Sequence, residues 1–235
     1  MATPEQTLVQ PDPSAAHAAM PLTASQSIGV GLASLLRERI ATGFYRPGEW
    51  IRERSLFEEF GYSNGPIREA LQILVSEQLL VREAWRGVRV VQLSSKEIVE
   101  IFQLRMTLLE LAVELMVKHA TEEQIQKGKN LLKDLDVALA KADPNARSTT
   151  GNQFSRWLCE CSGNSRLSQS WSQISWQTRM YVQASLNASN DPARLSEPLH
   201  EMLEAIERRD SSAAKSAVRF LCRRTLEGLG LELGL

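Results

Sequence analysis

The sequence predicts a mainly α-helical protein with one small β-hairpin near residue 85 and an all-α helical bundle after residue 94. Apolar residues recur at helical spacing along most of the chain, and clusters of Gly, Pro, Asn and Asp cut that pattern into helix-sized pieces. Strand-like runs flank only Ala84-Trp85-Arg86-Gly87.

Residues 1–26 carry Pro4, Pro11, Pro13 and Pro21 among small and polar residues, and are expected to form a flexible tail. From Ser27 to Leu93 every positive charge is an arginine, nine in all against eight glutamates, which suits planar contacts to phosphate or guanine. A first helix is predicted over Ile28–Thr42, ending at Gly43, and Arg46-Pro47-Gly48-Glu49 turns the chain. A second spans Glu53–Phe60 with Leu56, Phe57 and Phe60 inward, and stops at Gly61. Ser63 is the natural N-cap of a third helix, and Pro66 fits its first turn. There Ile67, Ala70, Leu71 and Leu74 follow core spacing, while Asn64, Arg68 and Gln72 form a polar stripe opposite. Two short helices joined by a glycine turn, the second with a polar stripe, describe a helix-turn-helix with its recognition helix. The runs Leu79–Glu83 and Val88–Gln92 add a hairpin with Arg86 at its tip. Residues 27–93 therefore read as an N-terminal winged helix-turn-helix with a small β-hairpin wing, and double-stranded DNA as its partner.

Residues 94–235 read as a second, C-terminal all-α helical bundle. Helices are predicted over Ser95–His119, Thr121–Lys141, Thr149–Cys161, Asn164–Leu186, Ser196–Arg209 and Ser211–Leu229, with breaks at Asp143-Pro144-Asn145 and Asn190-Asp191-Pro192. Arg105 stands in the middle of an apolar stripe, within about 40° of Ile98, Ile101, Leu109, Ala112 and Met116 on the helical wheel. A guanidinium there is costly unless an anion meets it. Two readings follow: a grip on the carboxylate or phosphate of a ligand, or a structural ion pair with an acid on another helix.

The totals bound the rest. At 235 residues, 43% apolar and 23% charged, the chain has the make-up of an ordinary globular protein with room for two modest domains. A net charge of −1 excludes a uniformly basic coat while leaving room for a local basic face. No run approaches the ~20 apolar residues of a membrane span, and no basic segment leads into an apolar core at the N-terminus. The expectation is a cytoplasmic protein with no membrane partner. Cys159, Cys161 and Cys222, an odd number without metal spacing, are expected as free thiols. No nucleophile, base and orienting residue converge, so neither enzymatic activity nor a cofactor is expected.

The order Leu35-x-Arg37-x-x-Ile40-x-x-Gly43, Arg46-Pro47-Gly48, then Ser63-Asn64-Gly65-Pro66-Ile67-Arg68-Glu69-Ala70-Leu71 with Leu74, Leu79 and Gly87, resembles the winged helix of the GntR family. Arg105-x-x-x-Leu109-Glu110, Ser162-Gly163-Asn164 and Ala205-Ile206-x-x-x-x-Asp210 resemble the helical FCD effector domain of its FadR-like branch. The resemblance implies a homodimer on a palindromic operator, usually a repressor released by a metabolite. It maps DNA contacts onto Arg54, Ser63, Asn64, Gly65, Pro66, Arg68, Arg86 and Gly87. The family normally has arginine at Asn64 and threonine at Gly65. Because arginine reads guanine and asparagine suits adenine, the family's common operator does not carry over to this chain by resemblance. A protein of the same fold that no longer reads DNA specifically is the alternative.

The resemblance also favours the ligand reading of Arg105, and Ser155 and Trp171 are placed with it in a site for a small, anionic effector. Phe154, Trp157 and Tyr181 are candidate walls or plain core. Many FCD domains hold a divalent metal with an aspartate and three histidines; the matching positions here are Gly151, Ser155, Leu199 and Leu221. The three histidines are His17, His119 and His200. A metal site of that kind is not expected. A one-residue slip that would turn His200 inward is the remaining alternative there.

Overall fold

The computed structural model describes residues 24–141, 143–188 and 193–234. The expected tail up to Thr23 and the break at Asn190-Asp191-Pro192 lie outside the described residues.

Helix α1 (Ala24–Ala41) begins ahead of the predicted Ile28 and lies against α3 (Asn64–Ser76). Leu32, Leu36 and Ile40 of α1 are buried in the same core as Ile67, Ala70, Leu71 and Leu74 of α3, the set that helical spacing selects. Between them, α2 (Glu53–Phe60) ends where the sequence puts its stop. Gly61 takes φ 67°, a left-handed cap open to glycine, and its N–H donates to the Phe57 carbonyl at 2.9 Å. Phe57 itself, expected inward, is half exposed at 50%. Leu56 and Phe60, four apart, define the inward stripe of so short a helix, and Phe57 lies about 100° round from Leu56. The Arg39–Glu59 ion pair fastens the same helix to α1.

The wing is wider than a hairpin. Strands β2 (Leu80–Glu83) and β3 (Gly87–Val90) pair as predicted, and β1 (Trp50–Ile51) adds a third antiparallel strand in the order β1-β3-β2. Trp50 pairs with Arg89 and Ile51 with Val88. The Arg46–Glu49 turn delivers β1 to this edge: the Gly48 N–H donates to the Val90 carbonyl at 3.0 Å, and the Val90 N–H to the Glu49 carbonyl at 2.8 Å.

Six helices follow: α4 (Ser95–His119), α5 (Glu122–Ala140), α6 (Pro144–Cys161), α7 (Ser165–Ala188), α8 (Ala193–Glu207) and α9 (Ser211–Glu227). Local caps set most of the starts. Ser94 with Glu97, and Thr121 with Gln124, form reciprocal capping boxes at α4 and α5. Asp143 accepts from the N–H groups of Asn145 and Ala146 at 2.9 and 3.1 Å, with Pro144 at the first helical position. The predicted break there is therefore the beginning of α6, which starts at Pro144 rather than Thr149. Central α4 packs on α6, α7, α8 and α9, and α5 covers α6 and α8. Arg209, at φ 59° after α8, donates to the carbonyls of Met116, Val117 and Ala120 at 3.3, 3.0 and 2.7 Å, tying the α8–α9 turn to the end of α4.

Tight helix approach has one clear signature. A Cβ on Gly128 of α5 would stand 2.6 Å from the Trp157 ring and 3.0 Å from Leu203, and Trp157 is 2% exposed. Alanine normally favours a helix over glycine by about 1 kcal/mol, but overpacking costs about 1–3 kcal/mol. Gly128→Ala is therefore expected to lower the thermal midpoint; a melt that moved upward would show that α5 and α6 pack less closely than described.

Candidate nucleic-acid edge and ligand cavity

The N-terminal turn of α3 is open to an anion. Ser63 takes the extended N-cap conformation, yet its hydroxyl makes no capping hydrogen bond and no acid occupies the first turn. The free N–H groups and the positive end of the helix dipole thus face outward. Asn64, Gly65, Arg68 and Gln72 are exposed beside them, whereas Pro66 is buried, so its ring shapes the turn without reaching the surface.

Three arginines surround this edge. Arg54, Arg68 and Arg86 have side chains 88%, 67% and 74% exposed. Arg54 pairs with Glu58 at 2.8 Å, Arg68 with Glu53 at 3.0 Å, and Arg86 lies 3.8 Å from Glu83. Arg54, Glu53, Arg86 and Gly87 line one groove between the start of α2 and the wing, and the Arg68–Glu53 pair joins α3 to it. Exposed pairs of this kind are worth about 0–1 kcal/mol, so a phosphate can replace the glutamate at little cost. Sequence reasoning missed two residues here. Arg52 lines the groove, and Trp85 stands fully exposed at the wing tip with φ 64°, an unusual backbone for an aromatic residue. A tryptophan inside a four-residue hairpin loop was the available signal.

The second feature lies inside the helical bundle. Arg105 is 6% exposed; its Nη1 donates to Thr178 Oγ1 at 3.1 Å and its Nη2 to Ser155 Oγ at 3.3 Å. Its Cζ sits 4.7 Å from the centre of the Trp171 ring. Among the described residues no carboxylate pairs with it. Burial works against the charge and lowers the guanidinium's pKa, but an arginine stays protonated. The neighbouring thiols offer no counter-ion: burial pushes Cys222 up to about 11 and Cys159 up to about 12, so both are neutral.

Arg105 and Ser155 border a cavity of about 20 Å³ shared with Ser148, Asn152 and Arg179 and floored by Leu199 and Leu221. The space suffices for a water molecule and not for a metabolite. Trp171 supports Arg105 from outside the cavity lining. Phe154 and Trp157 pack on one another at 5.1 Å in the core, and Tyr181 accepts the Leu93 N–H at 2.9 Å. Sequence reasoning missed Arg179, which lies among Ser175, Gln177 and Thr178 of α7 and lacks the flanking apolar stripe that singled out Arg105.

The four positions that the family resemblance assigns to metal ligands, Gly151, Ser155, Leu199 and Leu221, do converge on this cavity. They supply one hydroxyl and no imidazole or carboxylate, a donor set that does not fit a divalent transition metal. His200 points elsewhere, with Nε2 3.1 Å from Asp136 of α5, which removes the alternative of an inward slip.

Residues 30–90 match the bacterial regulatory proteins of the gntR family, and residues 100–224 match the FCD domain. The HTH-type transcriptional regulator YdhC of Bacillus subtilis is 33% identical over 133 residues, 56% of this chain and 59% of its own length. The gluconate operon transcriptional repressor of the same organism is 30% identical over 148 residues, covering 63% of this chain and 60% of its own. The matches thus span about three-fifths of these relatives. Escherichia coli McbR/YncC has the same fold, with a TM-score of 0.74 at 23% identity over 85% of this chain and 95% of that one. The helix-turn-helix edge, the three-stranded wing and the helical bundle around Arg105 are thereby placed: the chain belongs to the GntR family of bacterial transcriptional regulators, in the group that carries an FCD domain.

Proposed function

We propose that this regulator is a homodimeric repressor that binds palindromic operators and is released by a small organic acid held against Arg105. Residues 27–93 would supply the DNA-binding head, and residues 94–235 the effector and dimer domain. The observation that carries the DNA reading is the joint exposure of Arg54, Arg68 and Arg86 around the uncapped start of α3. In that arrangement the helix terminus and Ser63 meet backbone phosphate, Asn64 reaches base edges, and the wing arginine follows the flanking groove.

A second copy has a surface suited to it. Ile101, Leu104, Leu108, Leu111 and Leu115 recur at alternating spacings of three and four along α4, the pattern of a two-helix seam. Leu104 and Leu111 are 46% and 40% exposed. A two-fold pairing on this seam presents two recognition helices, which calls for an operator with matching half-sites.

The effector reading rests on Arg105, whose buried charge meets no acid among the described residues. Sugar acids are the first probes, since two relatives are named as gluconate operon repressors.

Two measurements test this reading. Arg68→Ala is expected to weaken binding to DNA fragments from beside the gene by about tenfold or more, with a salt slope shallower by about one if the contact is to phosphate. Fluorescence anisotropy across a salt series reads both; unchanged affinity and slope would remove the recognition edge. The second uses Arg105→Met. Breaking a structural buried ion pair costs about 3–5 kcal/mol, whereas removing an unpaired buried charge does not. The variant should melt no lower than the parent and lose any rise in midpoint that gluconate produces; a large drop in midpoint without ligand would return Arg105 to a structural role.

A further inference from the structure

The cavity has a second buried cation, and it reaches out of the bundle. Arg179 of α7 is 2% exposed and borders the cavity, yet its carboxylate partner is Glu38 on α1. Nη1 donates to one carboxylate oxygen at 2.9 Å and Nη2 lies 2.7 Å from the other. Nη2 also donates to Thr149 Oγ1 at 2.7 Å and Nε to Ser148 Oγ at 3.2 Å, so every nitrogen of the group is engaged. Glu38 is on the wet side of this contact, with its side chain 46% exposed. Two buried guanidiniums therefore face one cavity, and among the described residues the carboxylate that meets either of them comes from α1.

The same segments hold the end of the recognition helix. Arg37, next to Glu38, makes a bidentate pair with Glu77, the C-cap of α3, at 2.8 and 2.6 Å. Gln177, on α7 beside Thr178 and Arg179, donates to the Gln78 carbonyl at 2.7 Å. Trp176 lies under both Arg37 and Arg179, 5.3 Å from each guanidinium carbon. Thr178 is in turn a partner of Arg105. One stretch of α7 thus touches the cavity on one side and the base of α3 on the other.

We propose that Arg179 is the second anchor for the effector and that Glu38 competes with the effector for it. This deepens the proposed function and rests on the cavity accepting an anion. The ligand is an acid with oxygen at both ends, a hydroxy acid or dicarboxylate: one carboxylate meets Arg105, and the second group meets Arg179, Ser148 and Asn152. A guanidinium already bidentate to Glu38 has no free fork to offer, so the ligand takes the group only by displacing that carboxylate. Size leads to the same conclusion. At about 20 Å³ the cavity cannot admit an organic acid unless its lining moves, and moving Arg179 breaks a charged contact to the head. Docked α1 and bound ligand are then alternatives, and the ligand frees the head by taking away its counter-ion. Linkage makes the competition reciprocal: the ligand opposes the docked contact, and weakening that contact tightens the ligand.

Calorimetric titration of the full chain with gluconate, citrate and inorganic phosphate tests this, alongside hydrogen exchange of α1 and α3. Glu38→Gln, a change at a half-exposed position, is expected to bind the acid that the parent binds about fivefold or more tightly. Without ligand, its α1 and the end of α3 should exchange as fast as those of the ligand-bound parent. If Arg105→Met abolishes binding while Glu38→Gln leaves affinity and exchange at parental values, the competition is overturned and the anion cavity stands. If none of the three anions binds parent or variant, the cavity reading falls, and the competition with it.

Discussion

Two guanidinium groups held out of water set the logic of this protein. Transferring a charge into a packed interior costs several kcal/mol even after relaxation, and the cost is recovered only by a well-placed opposite charge. Arg179 recovers it from a carboxylate on a different part of the chain, and Arg105 from no acid among the described residues. Hydroxyls of Thr178 and Ser155 and the face of Trp171 solvate Arg105 partially, a weaker substitute for an anion. The flanking thiols stay neutral because the burial that isolates the arginine also raises their pKa values. The bundle is thus built around a local surplus of positive charge that a core selected only for stability would replace with hydrocarbon. The apolar floor of Leu199 and Leu221 leaves arginine as the charged feature of this cavity.

How much of this was legible follows from how local each signal is. The bounds of α2 and α4 were readable because Gly61 and the Ser94–Glu97 box act within a turn of the helix end. The start of α6 was misplaced because Asp-Pro marks a break and a helix start with the same two residues, and only the hydrogen bonds of Asp143 decide between them. Strand β1 has two residues, too few for alternation to register, and exists because the Arg46–Glu49 turn brings it to the edge of β3. Phe57 was drawn inward by its size, whereas the register of the stripe turned it out.

The cavity shows the same division. Arg105 was visible because α4 buries hydrocarbon on either side of it. Arg179 was hidden because the buried residues of α7 include Ser175, Gln177, Thr178, Gln183 and Ser185, against which one more polar residue does not stand out. Its importance is tertiary: Glu38 lies 141 positions away in sequence, and no periodicity on either helix anticipates the contact. The convergence of Gly151, Ser155, Leu199 and Leu221 on one cavity came instead from family resemblance, which carries three-dimensional information that a single helix pattern lacks.

The candidate nucleic-acid edge and the cavity share one arrangement, guanidinium against glutamate, at different dielectric constants. On the head, Arg54, Arg68 and Arg86 rest on glutamates of the same surface, pairs that water and salt make weak and that phosphate can exchange at little cost. In the bundle the Arg179–Glu38 pair has its guanidinium enclosed, where each charge counts for more, and it is there that the proposed competition would place the incoming acid. On the proposed reading, attraction to DNA is broad and salt-dependent while its control is specific, because the competition for Arg179 is confined to an enclosed site. On the same reading, sequence preference falls to Asn64 and its neighbours, which carry no charge and so would discriminate among bases without adding to the attraction that all DNA exerts.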